Sequence, residues 1–426
     1  MSRDELIEFV IGLIREYPKI GRKIEEEEDL KAGHVTEITE SIRSEIESVA
    51  SESAWRNDWS DWEDAPDYSG VLERLRSLLD SGHADAVVDL GRDLWRLGNE
   101  QVGSSDDEGE VASRIAECMS VVLQAVMRSS MSNRDKILWT IDTRRSDEYG
   151  LLDDMETELA KLTEREAWSE AADTLLGRLD AGKGDRKSED LLTTHRREGT
   201  MNWAIDALER SERREEIIPL LEREAPITSC YGTLVERLLS AERRDEAKAV
   251  AMKGFNKIVE NAPGLAWALE AKLLKMAEQD KDLPLAASYR SLEFFDRPSM
   301  DSYKDLMPAA EAAGCRPAVR DAAIRFLETG IRPDLKQSRV QRDTTAETED
   351  TWPLPFTEIT AASTKHTRCA YSEISTLIRI AIFEKDTEDV IRRYDLAKNT
   401  KFFDRSIHDE VAAAVKKSHP DLALGI

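Results

Sequence analysis

The sequence predicts an all-α protein: an α-solenoid of tetratricopeptide-like antiparallel helix hairpins with an N-terminal helical cap. Three observations carry this prediction. Over 426 residues there are only 13 prolines and 20 glycines, too few breakers for the many turns of an all-β fold. Apolar residues recur at helical spacing in one segment after another. Between those segments lie short turns holding Gly or charged residues, which join neighbouring helices as antiparallel hairpins.

The first helix spans Asp4 to Ile14, with acids at its start where the helix dipole favours them, and Pro18 ends it. Residues 22–50 are a charged helical region interrupted at Gly33-His34. Within it, Glu25 to Asp29 is a run of five acids, read as a solvated face. Residues 51–68 interleave Trp55, Trp59 and Trp62 with Asp58, Asp61 and Asp64. A spacing of four and then three places the indoles on one side of a helix. This is the candidate partner-binding site, an aromatic groove with an acidic rim suited to a basic peptide or a cation. The competing reading is a helix that packs its Trp side on its neighbours.

From Asp67 the hairpins become regular. Tyr68 to Leu79 is an amphipathic helix that stops at Ser81-Gly82-His83, and Ala84 to Trp95 begins the next. The acidic loop Ser104 to Glu110 lacks the alternating ligands and closing Glu of an EF-hand, and leads into a helix around Ile115 to Met127. Further units follow at Trp168–Leu179 and Trp203–Leu221. The clearest is Leu234 to Ala251, where small and large apolar residues face one another across a charged turn. Ala266–Glu278 pairs with Leu283–Phe295, and Tyr303–Ala313 with Val319–Gly330, at a loose period near 34 to 40 residues. Residues 339–350 are polar and aperiodic. Trp352-Pro353-Leu354-Pro355 then supplies an extended, pre-ordered peptide. Helices resume at Tyr371–Phe383 and Thr387–Ala397. The terminal His419-Pro420-Asp421-Leu422-Ala423 opens a helix that has no second half, the pattern expected of a fragment or cleavage product. The expected organisation is a charged cap at 1–65, a repeat array at 66–330, a polar insert or linker at 331–356 and C-terminal helices at 357–426.

Bulk properties bound the function. A net charge of −26 argues against direct binding to nucleic acid or to an anionic membrane. It fits a basic partner, as well as simple solubility. Cys118, Cys230, Cys315 and Cys369 form no C-x-x-C pair, so no sequence-local zinc site exists, and they read as free thiols of a reducing compartment. With no leader-like start and no apolar run near ~20 residues, the expected location is the cytoplasm.

Several stretches carry a family resemblance: Glu16-Tyr17-Pro18, Pro66-Asp67-Tyr68-Ser69, Gly82-His83-Ala84-Asp85 with Leu90-Gly91, Ser105 to Glu110, and His419 to Ala423. Together they resemble the helical, tetratricopeptide-like region that follows the zinc finger in prokaryotic SWIM-type zinc-finger proteins. The family's zinc site is a C-x-C pair followed by C-x-H. The present sequence has neither, so zinc and DNA-related roles do not carry over.

No phosphate-binding loop, nucleophile elbow, zincin motif or dinucleotide fingerprint is present. His195, His366 and Cys369 come nearest to a catalytic set, with His366 and Cys369 one helical turn apart, but no orienting partner is visible. Carboxylate pairs such as Asp153-Asp154 are uninformative where acids abound. The expectation is a non-catalytic interaction scaffold or adaptor, without cofactor or metal, that takes a protein or peptide partner. The alternatives are a regulated component of a prokaryotic defence or stress system, such as a partner or substrate of a CRISPR-associated protease, that sequesters an effector or transcription factor; an enzyme of unknown class; and an acidic nucleic-acid mimic.

Overall fold

The computed structural model describes residues 3–52, 66–105, 109–152, 154–182, 191–335, 352–359, 370–398 and 406–425. These residues form twenty-one α-helices and no β-strand. The chain divides into two units, Met1–Ile217 and Ile218–Ile426.

In the first unit the cap consists of α1 (Arg3–Glu16), α2 (Pro18–Ala32) and α3 (Val35–Ala50). Pro18 both ends α1 and opens α2, because at the first helical position its missing N–H costs nothing. The stripe Ile38, Ile42, Ile46 and Val49 of α3 is buried and faces the first array helices, α4 (Ser69–Asp80) and α5 (Ala84–Ser104). Charge fastens the same joint. Arg74 of α4, only 8% exposed, reaches Glu26 and Glu45 of the cap at 2.6 Å each. Arg43 of α3 binds Asp89 and Asp93 of α5 at 2.7 and 2.9 Å.

Then come α6 (Glu110–Arg128), α7 (Asn133–Arg145), the short α8 (Met155–Leu159), α9 (Arg165–Ala181) and α10 (Leu191–Arg210). α5 packs closely on α6: a Cβ placed on Gly91 would lie 2.3 Å from Cγ1 of Val122. Trp168 on α9 is fully buried, donates Nε1–H to the Leu162 carbonyl at 2.6 Å, and carries the Arg210 guanidinium 4.6 Å above its ring.

The second unit begins with α11 (Ile217–Thr228) and continues as hairpins: α12 (Tyr231–Ser240) with α13 (Arg244–Ile258), α14 (Pro263–Gln279) with α15 (Leu283–Asp296), α16 (Met300–Ala312) with α17 (Arg316–Thr329), and α18 (Ala370–Glu384) with α19 (Thr387–Ala397). Helices also touch their second neighbours, α12 with α14, α15 with α17 and α16 with α18, which is how repeats stack to share a core. α20 (Ser406–Val415) and α21 (Pro420–Gly425) close the unit, and the buried Ile407, Val411 and Val415 pack with Ile378, Val390 and Tyr394.

One turn recurs in every hairpin of this unit. A residue with left-handed backbone ends the first helix: Glu242, Lys281, Gly314 or Lys385, with φ between 59° and 72°. The next residue donates its N–H to a carbonyl five positions back: Arg243 to Leu238, Asp282 to Ala277, Cys315 to Ala310 and Asp386 to Ala381, at 2.9–3.0 Å. This Schellman bond satisfies carbonyls that a helix end leaves open. The following helix starts at once, and Asp282 and Asp386 cap it by accepting from Leu285 and Asp389 backbone N–H groups. The first unit repeats the device at Gly33, Gly82 and Glu212. The array is therefore periodic in its turns more than in its sequence, with left-handed residues at 242, 281 and 314.

Candidate functional site

The six residues of the candidate partner site, Trp55, Trp59, Trp62, Asp58, Asp61 and Asp64, lie outside the described residues, as do His366, Cys369 and Asp153. His195 is exposed on α10. Cys118 and Cys230 are buried and Cys315 is half-buried. Burial pushes the Cys118 thiol up to about 12 and raises Cys315 as well, so both stay protonated and poorly nucleophilic at neutral pH. Among the described residues no cluster of His, Cys, Asp or Glu could hold a metal ion, and no helix is long and apolar enough to cross a membrane.

The structure instead brings together two features in the second unit. The first is a strap. After α17 the chain passes Arg332, and residues 352–359 then run along α15 towards α13. Four side chains alternate inward: Trp352 (5% exposed), Leu354 (1%), Thr357 (8%) and Ile359 (2%). The indole of Trp352 packs edge-on against Phe295, with centroids 5.7 Å apart. Two side chains of the array hold the strap's backbone: Ser288 Oγ donates to the Pro355 carbonyl at 2.9 Å, and Asn256 Nδ2 donates to the Glu358 carbonyl at 2.9 Å. Sequence alone marked this stretch as extended because of its prolines; the core it enters lies far upstream.

The second feature is a buried cluster of charge beside Phe295. Glu270 on α14 is 3% exposed, and Asp296 at the end of α15 is 2% exposed. Asp296 forms a very short ion pair with Arg332, whose guanidinium also sits 5.8 Å from the centre of the Phe295 ring. Arg297 stacks over Trp267 at 4.4 Å and comes no closer than 3.8 Å to Glu270. Neither carboxylate oxygen of Glu270 has a hydrogen-bond partner among the described residues, and the same holds for Trp267 Nε1, Arg297 Nε and Arg332 Nη2. Burial, reinforced by Asp296 and opposed by Arg297, drives the Glu270 carboxyl up to about 8. At neutral pH Glu270 is therefore mostly a neutral acid able to donate as well as accept a hydrogen bond. Such a set of donors and acceptors is one that ordered water satisfies.

A signal for this cluster exists in the sequence. Glu270 lies four residues after Ala266 and four before Leu274, in phase with the buried face of α14, where a carboxylate is out of place.

No family model, curated protein or solved structure matches the chain.

Proposed function

We propose that the protein is a non-catalytic helical-repeat scaffold that binds a protein or peptide partner. The observation that carries this reading is the strap: an extended peptide already seated on array helices through alternate apolar anchors and side-chain bonds to its carbonyls. That is how a repeat surface takes a linear ligand. The resemblance to the helical region of SWIM-type proteins implies the same tetratricopeptide-like architecture. With its net charge of −26 the chain would favour a basic partner, and Trp55, Trp59 and Trp62 with Asp58, Asp61 and Asp64 are the proposed contact.

The test is to isolate the partner by affinity capture from the native host and then titrate it calorimetrically. Trp59→Ala combined with Trp62→Ala should weaken the purified complex at least tenfold while the melting temperature stays put. If the double substitution lowers the melting temperature and leaves affinity unchanged, the indoles are core and the proposed contact is wrong.

A further inference from the structure

We propose that the face formed by α13 and α15 is a docking groove for an extended, proline-spaced apolar peptide, and that residues 352–359 occupy it as an intramolecular stand-in for a partner segment of the same kind. The inference rests on reading the array as an interaction scaffold, and it names the ligand chemistry.

Recognition here has the features of ligand binding. Trp352 and Leu354 enter the core on alternate positions while Pro353 and Pro355 remain half-exposed between them. In an extended chain this puts both anchors on one side and both prolines on the other. Proline has no N–H to satisfy and its φ is already fixed, so such a peptide loses little entropy on docking. The groove supplies the complementary donors, reaching the carbonyls of Pro355 and Glu358 from Ser288 and Asn256.

Those bonds read the peptide's backbone and leave its identity to the apolar anchors. Thr357 and Ile359 repeat the inward pattern after a one-residue shift at Phe356, extending the footprint to eight residues. The partner segment is thus defined chemically: a large aromatic and an aliphatic residue separated by proline, a second proline, then two further inward positions. The segment's one charged residue, Glu358, faces solvent.

An occupant carried on the same chain competes with any free peptide, so a free peptide binds measurably only when the strap is weakened. The test uses the full chain carrying Leu354→Ala, with Trp352→Ala as a second, more severe variant. A fluorescein-labelled synthetic peptide with the sequence of residues 352–359 serves as probe. Anisotropy should report binding at least tenfold tighter to the variant than to the parent chain. Saturating peptide should raise the variant's melting temperature, and a peptide with Trp and Leu exchanged for Ser should do neither. Adding Asn256→Ala should then weaken the probe about tenfold.

A Leu354→Ala chain that is helical by circular dichroism yet shows neither binding nor a thermal shift at 1 mM peptide overturns the proposal. Should the variants lose helical structure, recovery of helicity on adding the peptide supports it and absence of recovery refutes it. A negative result leaves the scaffold reading standing, because a partner could dock elsewhere. Loss of the scaffold reading would show as failure of the partner titration with the unmodified chain.

Discussion

Glu270→Gln should make this protein more stable, and more so as the pH rises. In the folded chain Glu270 keeps its proton to about 8, against an ordinary value of 4.5. Between those two values the folded state binds more protons than the unfolded state, so raising the pH favours unfolding. The contribution of Glu270 is intact below 4.5, declines through the interval and is exhausted above about 8. At about 1.4 kcal/mol per pH unit the interval corresponds to a ceiling of roughly 5 kcal/mol, and water admitted on ionisation reduces it to about 2–3 kcal/mol.

The facing groups all bear on this. Asp296 and Glu293 oppose ionisation, whereas Arg297 and Arg332 favour it, the nearest being Arg297 at 3.8 Å. Glutamine keeps the shape and cannot ionise. Parent and variant should therefore melt together near pH 5 and diverge by pH 8.5, with the variant higher. Thermal melts by circular dichroism across that range provide the assay, and taking the difference removes the titration of every other group. If the variant melts lower than the parent at pH 8.5, Glu270 is ionised and held by Arg297 as a stabilising pair. That outcome would refute a neutral Glu270 carboxyl at neutral pH.

Other outcomes follow from the packing. Gly254→Ala would place a Cβ 2.7 Å from the Tyr231 ring and 3.0 Å from Leu269 Cδ1. Overpacking of about 1–3 kcal/mol outweighs the roughly 1 kcal/mol of helix propensity gained, so urea midpoints should fall. Lys281→Gly relieves a left-handed backbone at φ 59° and should raise stability by about 0.5–1 kcal/mol, whereas Lys281→Val should lower it. Tyr303→Phe removes the hydroxyl that donates to Glu384 at 2.6 Å and should cost about 1–2 kcal/mol by chemical denaturation. Burial pushes the Glu384 carboxyl up, but the bonds from Arg320 and Tyr303 prevail and hold it below 4.5. Its stabilisation is thus present at neutral pH and lost in acid, and Glu384→Gln should flatten the acid limb of the stability curve.

How much of this was legible differs from element to element. The paired helices around Leu238 and Ala247 could be read because apolar periodicity and a charged left-handed turn agree there. The helix Asn133–Arg145 was missed. Its buried positions include Lys136, Thr140 and Thr143, whose polar groups are satisfied locally, Thr140 Oγ1 by the Lys136 carbonyl at 2.9 Å and Lys136 Nζ by the Met127 carbonyl at 3.0 Å. Polar residues in the buried stripe erase the periodic signal without costing the fold. Ser406–Val415 was missed as well, being only ten residues long. The strap's extended backbone was readable from Pro353 and Pro355, but its destination was not. Docking depends on Asn256, Ser288 and Phe295, and nothing local to residues 352–359 encodes contact with residues so distant in sequence. Glu270 was hidden for a different reason: among many acids a single Glu draws attention only once the burial phase of its helix is known.

Phe295 is touched from two directions, by the Arg332 guanidinium at 5.8 Å and by the Trp352 indole at 5.7 Å. The chain between these residues therefore departs from and returns to a single ring. A longer chain joining the same two points would cost only about 0.6 kcal/mol per doubling of its length. A foreign domain whose own termini lie close together could be grafted between Val340 and Asp350 with both helical units left as they are. The protein could thus be made to display a fluorescent or enzymatic payload from inside its own sequence, with neither terminus altered.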